Sequence, residues 1–216
     1  MGVAVSCPRC GGPVRPPDLM SSDWRCSICG PVPPLHVAEH IGAEIVESVT
    51  LRSKDIPIWC PWPLPTGWMV TGVAWAGDDR NGTRATALAC SGPGPLGGPA
   101  DVLLVAEEPG VGLGNRYAGL AGADPGPYLQ DALESTAAHA KVKAAGWPTP
   151  LWAVGTPVGD RSTYVGEAKG VWLYAIAWPA SAGYIFAEDL VLHDLTEWVP
   201  GELVYGAPSP YLHGAA

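Results

Sequence analysis

A chain of 216 residues, 47% apolar and 15% charged, can bury a sizeable core and is not disordered by composition. The length suits one domain of ordinary size plus a small module. A net charge of −9 with no run of Lys or Arg argues against a general nucleic-acid surface and against an anionic bilayer.

Gly and Pro are abundant, 28 and 24 residues, and cluster between apolar runs, which favours a loop-rich, strand-containing fold over a helical bundle. Ten tryptophans stand against one phenylalanine, so indole rings are expected to fill core or line grooves. Met1 to Ser6 offers neither a charged leader nor an apolar stretch, and the expected location is the cytoplasm.

The first element is a zinc ribbon over residues 1–34, including its linker. Cys7-Pro-Arg-Cys10-Gly and Cys26-Ser-Ile-Cys29-Gly are two matching knuckles, separated by 15 residues. Two thiolates at this spacing chelate one ion because the tight turn aims backbone amides at the sulfurs, and the following glycine supplies a positive φ. Three alternatives use the same residues: two disulfides, an iron site of the rubredoxin kind, and a redox-active Cys-x-x-Cys pair. The disulfides require an oxidising compartment, the iron site ordinarily a longer loop, and the redox pair a single motif beside a βαβ unit. Zinc on Cys7, Cys10, Cys26 and Cys29 fits best, as a closed structural site.

Gly30 to Pro34 is a stiff linker. Residues 35–216 then read as an α+β domain with a largely antiparallel sheet and one or two packed helices. Leu35, Ile41, Ile45 and Val49 recur at near-helical spacing and predict a helix. Asp55 to Gly67 is Pro-broken and Trp-rich and should run extended. Strands are predicted at Trp68–Gly77 and Arg84–Cys90, joined by a turn carrying Asn81-Gly82, and at Asp101–Ala106. After a Gly-rich loop, a helix is expected over Pro127–Ala145, with Leu129, Leu133, Ala137, Ala140 and Ala144 buried and Gly146-Trp147-Pro148 as its stop. Strands at Pro150–Val154, Tyr164–Glu167, Val171–Trp178 and Tyr184–Ala187 follow, then a turn or helix near Leu190–Trp198. The uncharged stretch Gly170–Ala187 is short for a membrane span and is broken by Pro179; two strands and a turn explain it better.

Five groups carry chemistry on paper, each beside a plainer reading. His36-Val-Ala-Glu39-His40 matches the inverted zinc-peptidase pattern, with Glu107 or Glu108 as a third ligand, but peptidases with this motif are built from much larger repeated domains, and a chance match on an acidic helix is the preferred reading. The Gly-rich loop holds Glu107, Glu108, Gly112, Gly114 and Arg116; its amides and Arg116 can cradle a phosphate-bearing molecule, although two carboxylates at the mouth weaken that reading against a packing loop. Cys60 and Cys90 read as buried inert thiols. Glu188-Asp189 and His193-Asp194 read as a solvated face before acid–base groups. Trp59, Trp62 and Trp68 can line a groove for a proline-rich ligand or pack as core.

The double knuckle, the His36–His40 segment and Glu107-Glu108-Pro-Gly-Val-Gly-Leu-Gly-Asn-Arg-Tyr117 together resemble an actinobacterial family of unknown function in which a zinc ribbon precedes an α+β domain. The resemblance implies an intracellular role and carries no activity. With a closed metal site and no nucleophile–base pair, the chain reads as a non-enzymatic binding or adaptor protein that engages a protein or small ligand. The alternative is an enzyme or sensor acting on a phosphate-bearing molecule at residues 107–119.

Overall fold

The computed structural model describes residues 5–19, 21–135, 137–187 and 190–213. Sheet dominates. Short strands β1 (Val5–Ser6), β2 (Val14–Arg15), β3 (Arg25–Cys26), β4 (Gly30–Pro31) and β5 (Leu35–Val37) precede helix α1 (Ala43–Arg52) and strand β6 (Trp59–Pro61). The long strands β7 (Met69–Asp78), β8 (Gly82–Pro93) and β9 (Pro99–Glu107) follow, then helices α2 (Leu113–Ala118) and α3 (Gly126–Ser135). The chain continues through β10 (Ala140–Ala144), β11 (Trp147–Val154), β12 (Ser162–Ala168) and β13 (Val171–Trp178) to a 3₁₀ segment, Ala180–Ala187, and β14 (Val191–Asp194).

Among the described residues, eleven strands form one sheet in the order β1-β5-β7-β8-β9-β13-β12-β11-β10-β14-β6, while β2, β3 and β4 make a separate three-stranded sheet. All pairings between these strands are antiparallel except β10 with β14. The sheet curls, so that its last strand, β6, lies over β8 and β9. This explains why β9 is apolar without alternation: Val102 and Leu104 face a core shared with α1, β6 and β14, while Leu103 and Val105 face a second core shared with α2 and Leu212.

Several sequence expectations change here. Leu35 to Val37 is strand, paired with Ala74 to Ala76, and the helix starts only after Gly42. Leu35 serves the second core while Val46 and Val49 serve the first, so the apparent helical stripe spans two faces of the sheet. The long helix expected over Pro127–Ala145 ends at Ser135, and residues 140–144 are a strand. There Ala140, Val142 and Ala144 are buried and Lys141 and Lys143 exposed, a period of two that sheet pairing enforces. Gly146 is then no helix stop but half of a two-residue hairpin turn. Tyr184 to Ala187 is 3₁₀ rather than strand, and Val191 to Asp194 is strand. Between β7 and β8, Asp78 Oδ1 accepts from the amides of Arg80 and Asn81, at 3.0 and 2.7 Å, and Gly82 takes φ +74°; the turn is a three-residue loop built on an aspartate. No helix among the described residues is long and apolar enough to cross a membrane.

Candidate metal centre

Each knuckle of the N-terminal ribbon is fixed by its own backbone. Cys7 N–H donates to Gly12 O at 2.8 Å and Gly11 N–H to Cys7 O at 2.9 Å. Gly11 and Gly30 adopt φ +74° and +76°, the left-handed conformation that the glycine after each knuckle was expected to supply. The amides of Cys29 and Ile28 point at the Cys26 sulfur and hold its thiol down to about 7, whereas burial pushes the Cys7 thiol up to about 12.

The four sulfurs lie within 4.8 Å of one another. A tetrahedral ion with metal–sulfur bonds of about 2.3 Å spaces its sulfurs about 3.8 Å apart, so the cluster has the dimensions of one four-coordinate site. All four cysteines are free. Cys10 and Cys26, from opposite knuckles, stand 3.5 Å apart, far beyond the roughly 2.05 Å of a disulfide. Four converging soft donors can hold a metal ion, and they are the one such group among the described residues.

The ribbon is locked to the Gly-rich loop by two arginines. Arg9, inside the first knuckle, donates to Gly110 O at 2.6 Å, Val111 O at 3.2 Å and Cys29 O at 3.3 Å. Arg116, in α2, donates to Cys7 O at 3.4 Å and lies 5.2 Å from the Tyr117 ring centroid. Each arginine also covers a glycine of the other unit. A Cβ on Gly112 would meet Arg9 Cγ at 2.9 Å, and one on Gly11 would meet the Arg116 guanidinium at 2.7 Å. The glycines of this loop permit close approach of the ribbon and of Tyr174, whose ring lies against Gly114.

Other loop donors are also engaged inside the chain. Gly110 N–H donates to Asp124 at 2.7 Å and Leu113 N–H to Glu107 Oε2 at 2.7 Å. Glu107 is fully buried, and burial pushes its carboxyl up to about 7 against the pull of the Leu113 and Gly114 amides. Glu108 is half-exposed and pairs with Arg84 at 2.6 Å. A phosphate at residues 107–119 would therefore have to displace two carboxylates and a carbonyl from these groups.

The other candidates take separate places. His36, on β5, stacks on Trp75 with ring centroids 4.8 Å apart, and its Nε2 lies 3.2 Å from Gly77 O; burial lowers its pKa. It shares no helix with Glu39 and His40, which lie in the bend before α1, and the three form no metal cluster with any acidic residue among the described residues. Cys60 and Cys90 are buried; contact with Cys60, then burial, raises the Cys90 thiol. His193 meets Trp198 O, but Asp194 is not on a solvated face. It is 2% exposed and binds Lys169 at 2.7 Å, Thr196 and the Ile58 amide, partners that hold its pKa low although burial alone would raise it. Glu188 and Asp189 lie outside the described residues. Trp59 and Trp68 are core, and Trp62 packs edge-on against Trp198. Sequence reading missed Arg9 and Trp75; Arg9 carries no motif, and its role exists only because residues 110–111 come to lie beneath it.

No curated protein and no solved structure matches the chain. A family model matches residues 1–212, nearly the whole length, and the chain belongs to that family: DUF6758, a family of unknown function.

Proposed function

We propose that this chain is a zinc-ribbon protein of the actinobacterial cytoplasm that acts without catalysis, as a binding or adaptor protein for a protein partner. The observation that carries the proposal is the four-sulfur cluster clamped onto the sheet domain by Arg9 and Arg116. Four thiolates suit zinc and fill its tetrahedron, so the ion would supply rigidity and leave no position for substrate or water. A ribbon of this size buries too little apolar surface to hold its shape alone, and metal binding supplies the difference. The metal would thus fix the surface that residues 5–34 present to a partner, with residues 35–216 as the body against which that surface is held.

Elemental analysis of purified protein should give one zinc per chain, and a Cys26→Ser/Cys29→Ser variant should lose it. Affinity capture from native extract should return a partner with the intact protein and lose it with the variant. Metal-free native protein, or capture indifferent to the double substitution, would sink the proposal.

A further inference from the structure

Where the ribbon meets the edge of the large sheet, three hollows of about 430, 380 and 480 Å³ adjoin through shared walls. The first two share Trp24, Gly77 and Asp78; the second and third share His36, Arg52 and Trp75. Trp24 comes from the ribbon and the stacked His36–Trp75 pair from β5 and β7, so neither unit alone makes the groove. The far end is apolar, floored by Ala38, Ile45 and Val49.

We propose that this groove binds an extended, basic, proline-containing peptide segment of a partner; the proposal rests on the adaptor reading and gives it a site. Shape comes first. A small molecule fills one hollow, whereas a series of hollows with aromatic faces set along it suits a polyproline II strand, which presents rings to aromatic walls. Hydrogen bonding agrees with shape. Trp24 and Trp75 are half-buried, and among the described residues neither indole N–H has an acceptor within the chain, in contrast to Trp68, which donates to Pro93 O. A polyproline II strand carries carbonyls with no internal partner, which are the acceptors these indoles lack.

Charge selects the sign of the ligand. Of the arginines lining the groove, Arg84 and Arg52 are paired with the carboxylates of Glu108, at 2.6 Å, and Asp79, at 3.3 Å; Arg9 keeps its charge, since its acceptors are carbonyls, and the lining carboxylates of Asp23, Asp78 and Glu39 outnumber it. The carboxylates of Asp23 and Glu39, at opposite ends, are exposed and have no partner among the described residues. In a chain of net charge −9 this leaves a rim that attracts Lys and Arg and repels phosphate.

The test uses the purified full chain and three fluorescein-labelled probes: a twelve-residue peptide alternating Pro with Lys or Arg, the same peptide with Glu for every basic residue, and a dodecameric oligothymidylate. Anisotropy should show saturable binding of the basic peptide, weakened by salt, and at least ten-fold weaker binding of the other two. Asp23→Asn with Glu39→Gln, two exposed changes that leave the core untouched, should weaken the basic peptide at least five-fold, and Trp75→Ala at least ten-fold. Of the indole N–H resonances, those of Trp24 and Trp75 should shift most on titration. Equal binding of the acidic peptide, tighter binding of the oligonucleotide, no binding of the basic peptide, or indifference to the Asp23/Glu39 change would each overturn the assignment. If zinc stoichiometry and partner capture hold while the peptide fails to bind, the groove assignment falls and the adaptor reading stands.

Discussion

Glu107 closes a strand of apolar neighbours and is itself fully buried, with Oε2 accepting from Leu113 N–H and Oε1 without a partner among the described residues. A buried carboxyl with one orphaned oxygen prefers its proton, which is why its pKa rises to about 7. Between the ordinary glutamate value of 4.5 and that raised value the folded chain holds a proton that the unfolded chain releases. The stability this group contributes is therefore full below pH 4.5 and is lost as pH rises through about 7. Glu107→Gln keeps the shape and removes the titration. We expect urea unfolding of the native chain to lose on the order of 1–3 kcal/mol relative to the Gln variant between pH 5 and pH 8. Parallel pH profiles would show an ordinary carboxylate. Nothing in the run Val-Ala-Glu107-Glu108 distinguishes the two glutamates; burial of the first and exposure of the second follow from strand alternation once α2 is laid over one face.

At the scale of elements, the β10–β11 hairpin shows how a helix reading gives way. Ala, Lys and Leu between residues 127 and 145 have high helix propensity, but propensity differences are fractions of a kcal/mol per residue and yield to pairing and burial. Ala140 to Ala144 pairs with β11 on one side and β14 on the other, and the Ala-Lys-Val-Lys-Ala alternation was the signal in the sequence. The turn is Ala145-Gly146 with φ of 48° and 84°, both left-handed, the arrangement of a type I′ hairpin. Alanine is a poor occupant of that first position, and asparagine a good one. Ala145→Asn should raise the thermal midpoint by a few degrees, about 0.5–1 kcal/mol, in a calorimetric scan. A lowered midpoint would mean that the turn is held by contacts beyond its own backbone. The central hairpins were legible because long β-rich runs and the aspartate-bearing turn at residues 78–82 agree with each other locally.

For the whole molecule, the decisive contact is between the ribbon and the loop 110–116. Gly112 has φ +85° and faces Arg9, so Gly112→Ala combines backbone strain with a steric push on the lock. It should cost about 1–3 kcal/mol and open the ribbon to limited proteolysis. Gly126→Ala, where an added Cβ would meet no heavy atom within 4 Å beyond its chain neighbours and its own helix, and where no positive φ is required, should be close to neutral in both assays. Equal behaviour of the two variants would show that the ribbon does not depend on the arginine clamp. Because the clamp joins residues about a hundred positions apart, no window of sequence contains it.

The sequence by itself determined the four-sulfur cluster, since the first knuckle is closed by backbone bonds between Cys7 and Gly12, the second by the pairing of Arg25 and Cys26 with Pro31 and Gly30, and two such knuckles need only meet. It also determined the antiparallel core strands, whose composition leaves few other uses for them. Only the tertiary structure decided that His36 stacks on a strand instead of lining a peptidase helix, that residues 140–144 join a sheet, that Asp194 is buried, and that the Gly-rich loop receives a ribbon. The reason is common to all four: local preferences are small and short-ranged, while the face a side chain occupies is set by partners far along the chain.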